Sequence, residues 1–79
     1  MQFSLKDLEL FVAVAEAGSI AKAAQQCHTV ASAVSKRISD MEASFHTALL
    51  GRRSKGVELT PVGHALLARS RGVLTQASQ

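Results

Sequence analysis

One cysteine, one proline, no tryptophan and no tyrosine occur among the 79 residues. The lone thiol, Cys27, rules out an internal disulfide and suits a reducing compartment. No stretch approaches the roughly 20 consecutive apolar residues that a membrane-spanning helix needs. Lys6, Asp7 and Glu9 break up the apolar residues at the start, so no secretory leader is expected there. Length adds its own limit: one compact unit at most, with little room for an enzyme's deep enclosed pocket. What is present, 47% apolar and 19% charged residues, fits a globular chain rather than a disordered one.

Charge is unevenly placed. Residues 1–35 hold Lys6 and Lys22 against Asp7, Glu9 and Glu16, a net −1. Residues 36–79 hold Lys36, Arg37, Arg52, Arg53, Lys55, Arg69 and Arg71 against Asp40, Glu42 and Glu58, a net +4. A concentrated basic half points toward a polyanion, either nucleic acid or an acidic membrane.

The hydrophobic periodicity is helical for the first 45 residues. Ser4 stands as an N-cap with Asp7 positioned to close a capping box, and Phe3 and Leu8 have the spacing of a hydrophobic staple. Leu5, Leu8, Phe11, Val12 and Ala15 recur at three- and four-residue steps as a buried stripe, and Gly18 closes that helix. Ser19 caps a second, shorter helix whose apolar side is Ile20, Ala23, Ala24 and Cys27. Its alanines permit close approach by a neighbour, and a short connection follows, so the pair reads as a helix-turn-helix. Thr29 is the expected cap of a third helix starting at Val30.

That third helix carries the most chemistry. At about 100° per residue, Val34, Ile38, Met41 and Phe45 face the core, while Ser32, Ser35, Lys36 and Ser39 cluster opposite, with Asp40 at the edge. Short hydroxyl side chains let a backbone approach a grooved surface closely. They can hydrogen-bond phosphates or base edges, and Lys36 or Arg37 can engage phosphate or guanine. Two short extended segments follow, Ala48–Leu50 and Val57–Leu59, around a loop where Gly51 and Gly56 bracket Arg52, Arg53 and Lys55. This is a basic hairpin, the wing of a winged helix. Thr60 caps a last helix with Pro61 in its first turn. Its stripe of Val62, Leu66, Arg69, Val73 and Gln76, with Ala65 and Ala77 alongside, suits pairing with a second copy or packing on its own domain. The chain ends at Gln79 without a helix stop signal, which reads as a fragment of something longer.

Three stretches, LELFVAVAEAGSIAKAAQQCH, ASAVSKRISDMEASFHTALLGR and VELTPVGHALL, resemble the N-terminal DNA-binding region of LysR-type bacterial transcriptional regulators from Leu5 to Gly63. The resemblance implies a mainly α fold with a small β-hairpin wing. It implies a winged helix-turn-helix over residues 1–60 (helix-turn-helix 20–39, wing about 48–59) and a linker or dimerisation helix over 61–79. It further implies a cytoplasmic, nucleoid-associated protein that binds double-stranded DNA as a homodimer, possible tetramers at full length, and no membrane partner. A larger effector-sensing domain, absent here, would take a small-molecule inducer, so no cofactor is expected in this stretch. DNA contacts fall on Thr29, Ala31, Ser32, Ser35, Lys36, Arg37 and Ser39 of the helix region, about 30–44, and on Arg52, Arg53 and Lys55 of the wing. Dimer contacts fall on Val62, Leu66, Arg69 and Val73. Two departures stand out. Family members usually place Ser-Gln-Pro where this chain has Val30-Ala31-Ser32, so Ala31 offers a methyl for thymine in place of an amide for adenine. Leu50 stands where an aromatic is usual.

Other chemistries find less support. Cys27, His28, His46 and His64 match no zinc-finger spacing. No Walker or dinucleotide fingerprint occupies the glycine-bracketed loop. No nucleophile–base spacing suggests an enzyme. No basic helix has the bulky apolar face of a membrane-surface binder. The rival reading is a winged helix that binds a protein partner through its third helix, which the hydroxyl-rich face of that helix disfavours.

Overall fold

A computed structural model describes residues 3–77, with Ala77 described by its backbone alone. Residues 78 and 79 and the Ala77 side chain, part of the expected linker stripe, lie outside the described residues. The elements run α1 (Leu5–Ala17), α2 (Ile20–Gln26), α3 (Ala31–Phe45), β1 (Leu50–Arg53), β2 (Gly56–Leu59) and α4 (Pro61–Ala77).

Local chemistry sets the first boundaries as the sequence predicts. The Ser4 hydroxyl accepts from the Asp7 N–H at 3.1 Å, and the Asp7 carboxylate accepts from the Ser4 N–H at 3.1 Å. Both halves of the capping box are therefore closed. Gly18 ends α1 in the left-handed region at φ 69°. Ser19 caps α2 by accepting from the Lys22 N–H at 3.2 Å. At the start of α4 the Thr60 hydroxyl accepts from the Gly63 N–H at 3.1 Å and donates to the Ala48 carbonyl at 2.7 Å. Thr60 thereby ties the helix start to the foot of the hairpin.

The core is built from Leu10, Phe11 and Val14 of α1, Ala23 and Ala24 of α2, Val34, Ile38 and Met41 of α3, and Leu49 ahead of β1. Ala23 and Ala24 are as buried as predicted, and α2 packs on both α1 and α3. Two expectations need correction. The α1 stripe is centred on Leu10, Phe11 and Val14, while Leu5 is 47% exposed. The reason is that α1 is covered from two sides, by α2 and by α4, and this widens its apolar sector beyond a single stripe. Phe45 also leaves the core: it is 41% exposed at the end of α3, with its ring 5.5 Å from that of Phe3.

The hairpin is antiparallel, with Leu50 opposite Leu59 and Arg53 opposite Gly56. Its second strand is pinned to the α1–α2 turn, where the Val57 N–H donates to the Gly18 carbonyl at 3.0 Å. Gly56 makes that approach possible. Its φ is +133°, and a Cβ there would lie 2.1 Å from the Gly18 oxygen.

Helix α4 lies along α1 and closes the core from outside. Its inner face uses small residues, including Ser70, which is 1% exposed and whose hydroxyl has no hydrogen-bond partner among the described residues. Arg71 bonds Glu16 of α1 at 3.0 Å, outside the contact. Leu66 and Leu67 pack against the core from α4.

Candidate nucleic-acid interface

The turn from α2 to α3 is irregular at one residue. His28 adopts φ 56°, a left-handed conformation uncommon for a non-glycine side chain, just after α2 ends. The cap of α3 differs from the expectation. Val30, not Thr29, occupies the N-cap position, with extended backbone and no side-chain cap hydrogen bond. Thr29 lies one residue too early, and its N–H is committed to the Ala24 carbonyl at 2.9 Å. Forgoing a cap residue of the preferred type costs a helix about 1 kcal/mol.

Ser32, Ser35, Lys36 and Ser39 are exposed on the side of α3 away from Val34, Ile38 and Met41, and Ala31 is exposed at the helix start. Lys36 Nζ lies 3.2 Å from the Asp40 carboxylate, with side-chain exposures of 76% and 64%. A solvent-screened i,i+4 pair of this kind is worth a few tenths of a kcal/mol, and a phosphate can displace it. Arg37 is differently employed. Its guanidinium donates to the Asp7 carboxylate, tying α3 to the start of α1. Partial burial pushes the Asp7 pKa up. The Arg37 guanidinium and the Ser4 N–H and hydroxyl outweigh that effect and hold it below the ordinary 3.8.

The basic hairpin stands beside this face. A groove of about 260 Å³ runs between them. Ser35, Ile38, Ser39 and Glu42 form its α3 wall, and Leu50, Gly51, Arg52, Arg53, Gly56 and Val57 form the hairpin wall. The structure thus brings Ser35 and Ser39 of α3 and Arg52 and Arg53 of the hairpin to one groove. Lys55 is exposed in the hairpin turn. On α4, Val62 and Val73 are 41% and 44% exposed, Arg69 is exposed, and Leu66 is turned toward its own core.

One residue of the arrangement has no counterpart in the sequence reading. Glu42, half-buried on α3, uses a single carboxylate oxygen to accept from the N–H groups of Leu49 (2.8 Å) and Leu50 (3.2 Å). It fastens the third helix to the first strand of the hairpin. The signal available in sequence was a carboxylate at the boundary between the core and outer faces of α3, seven and eight residues before the two amides that lead into the hairpin. Among the described residues, no group of three His, Cys, Asp or Glu side chains is placed to hold a metal ion. No described helix is long and apolar enough to cross a membrane.

A helix-turn-helix whose second helix presents a cationic, hydroxyl-rich face, flanked by a basic antiparallel hairpin, defines a winged helix-turn-helix domain. Known proteins make the assignment narrower. Residues 5–64 match the family described as "Bacterial regulatory helix-turn-helix protein, lysR family", and the chain belongs to that family. It is 38% identical over 74 residues to the HTH-type transcriptional regulator TcbR of a Pseudomonas species, covering 94% of this chain and 25% of TcbR. It is 48% identical over 61 residues to the HTH-type transcriptional regulator YofA of Bacillus velezensis, covering 77% of this chain and 21% of YofA. The chain therefore spans about a quarter of the length of these relatives. Among solved structures, the CbnR DNA-binding domain in complex with DNA superposes with a TM-score of 0.90 at 37% identity, covering 96% of this chain and 87% of that one.

Proposed function

We propose that this chain is the sequence-specific, double-stranded-DNA-binding domain of a LysR-family transcriptional regulator. The observation that carries the reading is the shared groove whose walls hold Ser35 and Ser39 of α3 on one side and Arg52 and Arg53 of the hairpin on the other. In this reading α3 enters the major groove with its N-terminal half, and Ala31, Ser32, Ser35 and Ser39 meet base edges or the adjoining phosphates. Lys36 leaves Asp40 for a phosphate or a guanine. Arg52, Arg53 and Lys55 hold the sugar–phosphate backbone beside the groove. The work is done by binding, with no catalytic step, in the bacterial cytoplasm on the nucleoid. That the similar CbnR domain has been solved in complex with DNA supports the DNA-binding reading.

The outer face of α4, with Val62, Arg69 and Val73 exposed, is the surface for a second copy. Leu66 belongs at its border, since it already packs inward. Two copies then meet half-sites about one helical turn apart, or a multiple of that. The longer relatives support a further effector-sensing region in the whole protein, and any inducer belongs there.

Selecting bound sequences from random duplexes tests the reading, followed by titration of the winning duplex across several salt concentrations. Log affinity should fall linearly with log salt, by about 0.9 per phosphate neutralised. Arg52→Ala and Arg53→Ala should weaken all sequences alike and lower that slope by about 1 each. Lys36→Ala should lower the slope if it holds a phosphate, or relax base choice if it holds guanine. No enrichment of any sequence, or a slope near zero, contradicts the reading.

A further inference from the structure

Thymine presents a 5-methyl group in the major groove, and an apolar side chain is the partner that detects it. We propose that Val30, at the leading end of α3, is a specificity-determining residue that reads this methyl. The inference rests on the DNA-binding reading above.

Exposure is the first ground for it. Val30 is 63% exposed, more than the other exposed large apolar side chains among the described residues. A β-branched apolar residue left in solvent contributes nothing to the core. Capping is the second. Val30 occupies the N-cap position of α3, yet makes no cap hydrogen bond, where Ser, Thr, Asp or Asn would satisfy a free backbone N–H. One position therefore gives up both burial and capping, and positions that break local rules without structural compensation are where functional demands are expected. Location is the third. The cap residue stands at the end of a recognition helix that reaches base edges first, next to exposed Ala31 and in the turn before Ser35 and Lys36. Its stiff χ1 keeps the two methyls in place at little entropic cost. A hydroxyl in the same position would instead be drawn to the helix amides.

The test uses duplexes that the chain itself selects from a random pool. Each thymine is replaced in turn by deoxyuridine, which removes the methyl alone. At one thymine per recognition helix, affinity should fall about fourfold, the worth of one buried methyl group. Val30→Ser should bind the thymine and deoxyuridine duplexes equally while melting no lower than the parent, because serine can cap the helix. Val30→Ala, which adds no hydroxyl, should lose the same discrimination. Indifference of the parent chain to every replacement overturns the proposal. So does a fourfold loss that persists in both variants, since another side chain then reads the methyl. Failure to select any duplex is a separate result and overturns the DNA-binding reading along with it.

Discussion

Replacing Glu42 by alanine removes the acceptor for two backbone N–H groups at once, at 2.8 and 3.2 Å, in a half-buried position between α3 and β1. A hydrogen bond to a charged group contributes about 1.5–3 kcal/mol, and leaving a buried donor unsatisfied costs a similar amount. Two donors share one oxygen and retain some access to water, so the loss should be about 2–4 kcal/mol. For a domain of this size each kcal/mol moves the melting temperature by about 4–8 °C, which predicts a drop of about 8–32 °C. Set against a total stability of about 4–12 kcal/mol, that loss is a large fraction of what holds the domain folded. Glu42→Gln separates this account from a general packing effect. Both bonds go to one oxygen, and glutamine keeps a carbonyl oxygen there, so only the charge assistance is lost, about 1 kcal/mol. Thermal unfolding followed by circular dichroism reads both variants. DNA titration adds a second measurement, because β1 carries Arg52. The combined loss in Glu42→Ala with Arg52→Ala should be smaller than the sum of the single losses, since a loosened strand already misplaces the guanidinium. Equal melting temperatures for Glu42→Ala and the parent would refute the reasoning, as would glutamine proving as damaging as alanine.

Gly56→Ala should cost about 3 kcal/mol, from a strained backbone at φ +133° and a Cβ set against the Gly18 carbonyl that Val57 must keep. A melting temperature within a degree or two of the parent would contradict that. Asp7 has a folded-state pKa lowered from 3.8, so its contribution is present above the unfolded value and disappears as pH falls through the folded one. The stability gap between the parent and Asp7→Asn should therefore be open at pH 7 and close below about pH 4. A gap that widens on acidification refutes the assignment of that shift to Arg37 and Ser4.

Much of this architecture was legible because short-range chemistry fixes it. Ser4, Ser19 and Thr60 each place a hydroxyl at a helix start, Gly18 supplies a left-handed stop, and Ala23 and Ala24 leave room for a neighbouring helix. The outward set Ser32, Ser35, Lys36 and Ser39 followed from helical geometry alone. All but one of the misses are long-range. Leu10 and Val14 lie in an α1 sector widened by packing against both α2 and α4, and α4 returns from the far end of the sequence, which no local window contains. Phe45 finds Phe3 at the surface instead of the core. Arg37 looks like one more free cation until α1 brings Asp7 to it, and Glu42 looks like a solvated carboxylate until the hairpin folds back onto it. The cap was misplaced because Thr29 has the right chemistry one residue too early.

Glu42 joins the third helix to the hairpin through the main chain of Leu49 and Leu50, and Gly18 joins the hairpin to the first turn in the same way. Main-chain amides are the same whatever side chains accompany them. On the hairpin side both joints are thus made by main-chain amides that substitution leaves in place, with Glu42 and Gly56 the side-chain positions to be kept, while Ser32, Ser35 and Ser39 make no side-chain hydrogen bond among the described residues. Such a division lets sequence preference drift, or be re-engineered, one outward residue at a time on an unchanged frame.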